Sequence, residues 1–96
     1  MLIYKHLWFL VMIFGNKEAY CILEVLKILS KEKSKYGVMF RKSKVSHITL
    51  QKVLKELQEK KFIKKYDMGH KKVDYEITQK GVKLLNGLIE IKGLVS

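Results

Sequence analysis

The chain has 96 residues, 48% of them apolar, and a formal charge of +11. That length suits one small domain, and the apolar content excludes a disordered chain and leaves enough over for a buried subunit interface. One cysteine, Cys21, excludes an internal disulfide and a zinc site of the usual Cys/His kind, which fits a reducing, cytoplasmic setting with no metal or cofactor.

Residues 1–15 read as an apolar arm. Its unbroken apolar run, Leu7 to Phe14, is eight residues, whereas a membrane span needs about twenty, so no span is expected. Trp8, Phe9, Leu10, Val11, Met12, Ile13 and Phe14 follow neither a helical stripe nor strand alternation, and the arm is read as a helix or strand docked on a second subunit. Gly15 and Asn16 punctuate the chain, with Asn16 as an N-cap and Glu18 in the first turn. Ile22, Val25, Leu26 and Leu29 then recur at helical spacing, giving a helix of about fifteen residues, with Cys21 as a buried thiol.

"SKEKSK" is a charged connector, and Tyr36, Met39 and Phe40 mark one or two helical turns after it. Ser46 caps the next helix, expected over about 46–60, which buries Leu50, Val53, Leu54 and Leu57. Phe62 and Ile63 enter a strand, and Asp67–His70 is a turn in which Gly69 takes a positive φ. Val73, Tyr75 and Ile77 alternate with Lys72, Asp74 and Glu76, closing a hairpin over about 62–77. Thr78 caps a last helix, about 79–92. Its apolar residues cover more than one stripe, so one face serves the core and another, with Leu88 and Ile91, a partner. The fold class is mainly α with a β-hairpin, and residues 16–96 form one domain.

Charge is concentrated. Residues 31–72 hold fourteen of the twenty basic residues and four of the nine acids, a local +10, so a polyanion is the expected partner. A lysine-rich solvated surface of the heat-adapted kind would intersperse acids, and this block sets only four against fourteen basic residues. Opposite the buried stripe of the 46–60 helix lie His47, Ile48, Thr49, Gln51, Lys52 and Lys55, and the hairpin adds Lys64, Lys65, His70, Lys71 and Lys72.

"SHITLQKVLKELQEKKFIKKY" resembles the recognition helix and first wing strand of winged helix-turn-helix regulators, whose pattern ends "LxxLxxxGLI"; Lys61 stands where that pattern has glycine. "VDYEITQKGVKLL" resembles the "YxLTxKGxxLL" that closes the wing, with Tyr75, Ile77, Thr78, Lys80, Gly81, Leu84 and Leu85 matching. The likeness covers residues 16–92 and is nearest to small MarR-like, PadR-like and archaeal or archaeal-virus regulators. It implies a transcription regulator on double-stranded DNA, homodimeric through its terminal segments. It also implies base reading by His47, Ile48, Gln51, Lys52 and Lys55. Backbone contacts would come from Lys35, Arg41, Lys42, Lys44, Ser46 and Thr49, and wing contacts from Lys64, Lys65, His70, Lys71 and Lys72. Residues 1–15 have no counterpart in that family; their apolar run and the second face of the last helix place the interface on Leu7, Trp8, Phe9, Val11, Leu88 and Ile91.

Blander roles stand beside these. Ile48 serves the core equally well, Thr49 is better placed as a half-buried packing residue, and Tyr36, Tyr66 and Tyr75 as core-edge residues. The histidines are scattered, and no nucleophile motif, Gly-rich phosphate loop or apolar carboxylate pair points to an enzyme. Two rivals remain: an architectural DNA binder of the same fold, and a winged helix whose basic face meets an acidic partner or a membrane surface. Nineteen lysines to one arginine, Arg41, favour phosphate contacts over guanine readout, although an A·T-rich genome yields the same skew. No small-molecule effector pocket is legible.

Overall fold

The computed structural model describes the backbone of residues 2–70 and 72–95 and the side chains of 17–70 and 72–90. Helix α1 (Leu2–Lys31) is followed by α2 (Tyr36–Ser43) and α3 (His47–Glu59). Strands β1 (Ile63–Asp67) and β2 (Val73–Ile77) come next, then α4 (Gln79–Val95). The order is the one the periodicities predict, with one difference at the start. α1 runs unbroken through Gly15 and Asn16, so Asn16 caps nothing and the arm and first helix are one element. A mid-helix glycine costs only about 1 kcal/mol and asparagine less. The continuous i to i+4 ladder outweighs both. How Leu7, Trp8, Phe9, Val11 and Ile91 pack lies outside the described side chains.

The core is built from the expected stripes. Cys21, Ile22, Val25, Leu26 and Leu29 of α1 meet Met39 of α2, Leu50, Val53, Leu54 and Leu57 of α3, and Leu84 and Leu85 of α4, all buried. Ile63 and Tyr75 seal it from the hairpin. β1 and β2 pair antiparallel with Lys65 opposite Tyr75. The connector before α2 does more than join elements. Ser34 exchanges two backbone hydrogen bonds with Tyr75, at 3.1 and 2.8 Å, and so occupies the middle of β2's far edge.

The turn from α3 into β1 fixes where the hairpin stands. Lys61 N–H donates to Gln58 C=O at 3.0 Å and Phe62 N–H to Leu57 C=O at 2.8 Å. That is the Schellman pattern, and it places Lys61 at the left-handed position, φ 64°. Thr78 ties this turn to α4. Its hydroxyl lies 2.8 Å from Lys61 C=O and 3.0 Å from Phe62 C=O, and it accepts from Gly81 N–H at 3.0 Å. Gly81 is required by close approach, because a Cβ there would run into the Phe62 carbonyl oxygen and come within 2.7 Å of Ile77 Cγ1.

Candidate nucleic-acid interface

α3 is a helix with two characters. Its buried stripe leaves His47, Ile48, Gln51, Lys52 and Lys55 exposed on the opposite side, at the three- and four-residue steps that form one continuous surface. Ile48 is 80% exposed, which answers the question of whether it serves the core: it does not.

The start of α3 is held by four contacts. Ser46 Oγ accepts from Thr49 N–H at 3.2 Å, and the two hydroxyls lie 3.0 Å apart. Ser46 and half-buried Thr49 thus serve the cap first, with the helix's positive end close by. The His47 ring lies flat on Phe40, centroids 3.7 Å apart and planes within 9°, and its Nδ1 is 2.8 Å from the Tyr36 hydroxyl. Burial, with the phenol of Tyr75 adding to it, raises the Tyr36 hydroxyl above its ordinary 10.0. The direction of that hydrogen bond follows the imidazole tautomer, and the bond together with the stack on Phe40 fixes the orientation of the ring. His47 is thus an oriented group rather than a loose surface histidine. Tyr36 and Phe40 stand one helical turn apart on α2; the sequence offered Tyr36 as a core-edge aromatic and Phe40 as an apolar member of the short helix, and their spacing from His47 carries no signal there.

Lys52 is partly engaged, its ammonium 3.4 Å from Glu18 Oε1 on α1. More than half of that side chain is exposed, so the pair contributes at most about 1 kcal/mol and a phosphate would displace it readily. Lys55 and Gln51 line a cleft of about 350 Å³ with Tyr36, Tyr75 and wing residue Lys65, so helix and hairpin present one surface. Lys35, Arg41, Lys42 and Lys44 are exposed around α2, Lys44 in the left-handed region at φ 57°. Lys64, Lys65, His70 and Lys72 are exposed on the hairpin; Lys71 lies outside the described residues. The hairpin tip is closed by Asp67 Oδ1 accepting from Gly69 N–H at 3.1 Å, with Gly69 at φ 75° and His70 at φ 49°. On α4, Leu88 is half-buried against its own core, whereas Val82 and Ile89 stand 40% and 47% exposed, as does Tyr20 of α1 at 49%. Among the described residues no cluster of His, Cys, Asp and Glu is suited to a metal, and no helix is long and apolar enough to cross a membrane.

A helix-turn-helix with a basic hairpin behind its second helix defines a winged-helix DNA-binding domain. The family described as winged helix-turn-helix matches residues 17–96, and the chain belongs to it. The structure of Lactococcus lactis ZitR, wild type, superimposes with a TM-score of 0.62 at 25% identity, over 74% of this chain and 48% of that one. This chain thus spans about half of ZitR's length. The comparison with curated proteins gives no match.

Proposed function

We propose that the protein is a homodimeric transcription regulator that binds specific double-stranded DNA sites, with α3 in the major groove and the hairpin on the backbone. The observation that carries this is the outward face of α3: exposed Ile48 beside Gln51 and Lys55, with an oriented His47 at its head. Ile48 suits a thymine methyl, Gln51 a two-pronged pairing with adenine, and Lys55 and the His47 ring the polar groups of the groove floor or a phosphate. Lys35, Arg41, Lys42, Lys44, Lys64, Lys65 and Lys72 surround that face and, with the charge of Lys71, supply the sequence-independent attraction. Exposed Val82, Ile89 and Tyr20, together with the apolar sequence of residues 1–15, support a second copy packed along α1 and α4. No catalytic role is proposed.

The scarcity of arginine favours a second reading, an architectural protein that holds phosphates without choosing sequence. Binding the purified protein to sheared genomic DNA and sequencing the retained pool separates the two. A few enriched palindromic sites are the result expected of a regulator. Uniform retention supports the architectural reading, and no retention at low salt removes both.

A further inference from the structure

Among the described residues the outer edge of β1 has no backbone partner. β2 is covered on one side by β1 and on the other by Ser34, which bonds both the N–H and the C=O of Tyr75. Because the Tyr75 polar groups turn towards Ser34, its opposite number Lys65 is a non-bonded partner in the β1–β2 ladder. Thr78 N–H to Phe62 C=O at 3.0 Å and Met68 N–H to Lys72 C=O at 2.9 Å set the same phase at both ends. The N–H and C=O of Lys65 and Asp67 therefore point away from β2, along the outer edge of β1.

That edge borders a groove of about 690 Å³ lined by Lys61, Lys64, Lys65 and Lys80, with Ile63 and Tyr66 as apolar members. No acid lines it, and none of the four lysines has an ion-pair partner among the described residues. Glu76 is Lys64's cross-strand neighbour without forming a bridge. Lys80 spends one donor on Lys60 C=O at 2.9 Å. The groove's far wall is the first turn of α4, whose positive end also favours carboxylates.

We propose that this groove docks an acidic, extended segment of a partner protein, added to the sheet as a strand against β1. Lysines along an open edge usually bar strand addition, and here they bar neutral and basic strands while admitting an acidic one. A second copy of this chain is a poor occupant, since it would set Lys64 and Lys65 against themselves. A nucleic-acid backbone offers acceptors alone and would oppose its oxygens to the outward carbonyls of Lys65 and Asp67, whereas a peptide supplies donor and acceptor in alternation. Lys64 and Lys65 also belong to the candidate wing contacts, so a docked strand competes with the wing's hold on DNA.

The test is fluorescence anisotropy with a fluorescein-labelled ten-residue peptide of alternating glutamate and valine. Two relatives accompany it, one N-methylated at every valine and the other at every glutamate. Wild-type protein is expected to bind the parent peptide and to lose about tenfold towards one methylated relative but not the other, since only one series of amides faces β1. Lys65→Pro removes the outward N–H without touching a β1–β2 bond; it should weaken binding about tenfold beyond the charge-matched Lys65→Gln. On wild-type protein, peptide should shift the amide resonances of Lys65 and Asp67 more than those of Lys64 and Tyr66. Equal binding of both methylated relatives would reduce the groove to unspecific charge and overturn the proposal. So would absence of peptide binding, or a duplex DNA probe, rather than the peptide, losing affinity in Lys65→Pro.

Discussion

Lys61→Gly should make the protein more stable. Lys61 holds φ 64° as the left-handed residue of the Schellman turn after α3, where a side chain's Cβ crowds the backbone at a cost of about 1–2 kcal/mol. The side chain is exposed and makes no hydrogen bond or ion pair among the described residues, so its loss removes little. Against the gain stands the extra freedom glycine gives the unfolded chain, about 0.5–1 kcal/mol. The balance is a stabilisation of about 0.5–1 kcal/mol, which in a domain of this size raises the midpoint by roughly 2–8 °C. Thermal and urea unfolding followed by circular dichroism reads it, with Lys61→Ala as the control that removes the same charge without relieving φ. A glycine variant melting at or below the alanine variant would refute the reasoning, for it would show that the turn bears no left-handed strain.

Gly81→Ala should destabilise by about 3 kcal/mol, because the new Cβ meets the Phe62 carbonyl, a backbone atom with little room to yield; urea unfolding measures it. Thr78→Val keeps the branched shape but loses the hydroxyl's contacts to the α3–β1 turn and the cap on Gly81 N–H, and the same assay should show a loss of about 1–2 kcal/mol. Cys21 is buried, and burial, then the charges of Glu18 and Glu24, raise its thiol from 9.0 to about 11. It should therefore resist thiol reagents until the protein unfolds. A folded-state value above the unfolded one gives stabilisation that is whole below pH 9.0 and fades as pH climbs through about 11, so between those limits Cys21→Ala should lose less stability than wild type.

Helical spacing located the buried stripes of α1, α3 and α4 because each is fixed by one rule, that apolar residues at three- and four-residue steps share a face. The hairpin was legible for a similar reason, since Gly69 in a polar turn and alternation in β2 act over a few residues. Asn16 misled because a cap signal is only local. Where flanking residues extend the helix on both sides, its cost of a few tenths of a kcal/mol cannot break the ladder. Ser34 was hidden because a backbone bond to Tyr75, forty-one positions away, leaves no trace in side-chain pattern. The same holds for the His47–Tyr36–Phe40 stack and the Lys52–Glu18 pair, which join elements whose approach is set by the whole core. Ile48 shows where pattern alone stops: its spacing left core and groove equally open, and only the packed helix separated them.

The central claim, that α3 reads bases, is tested most directly by comparing Gln51→Ala with wild type on an enriched genomic site and on a scrambled duplex of equal length and salt. Loss of a bidentate base contact should cost about 1–3 kcal/mol on the site, roughly five- to 150-fold in affinity, while binding to the scrambled duplex stays unchanged. Equal losses on both duplexes, or none on either, would contradict the account and return Gln51 to a role in phosphate contact or in none.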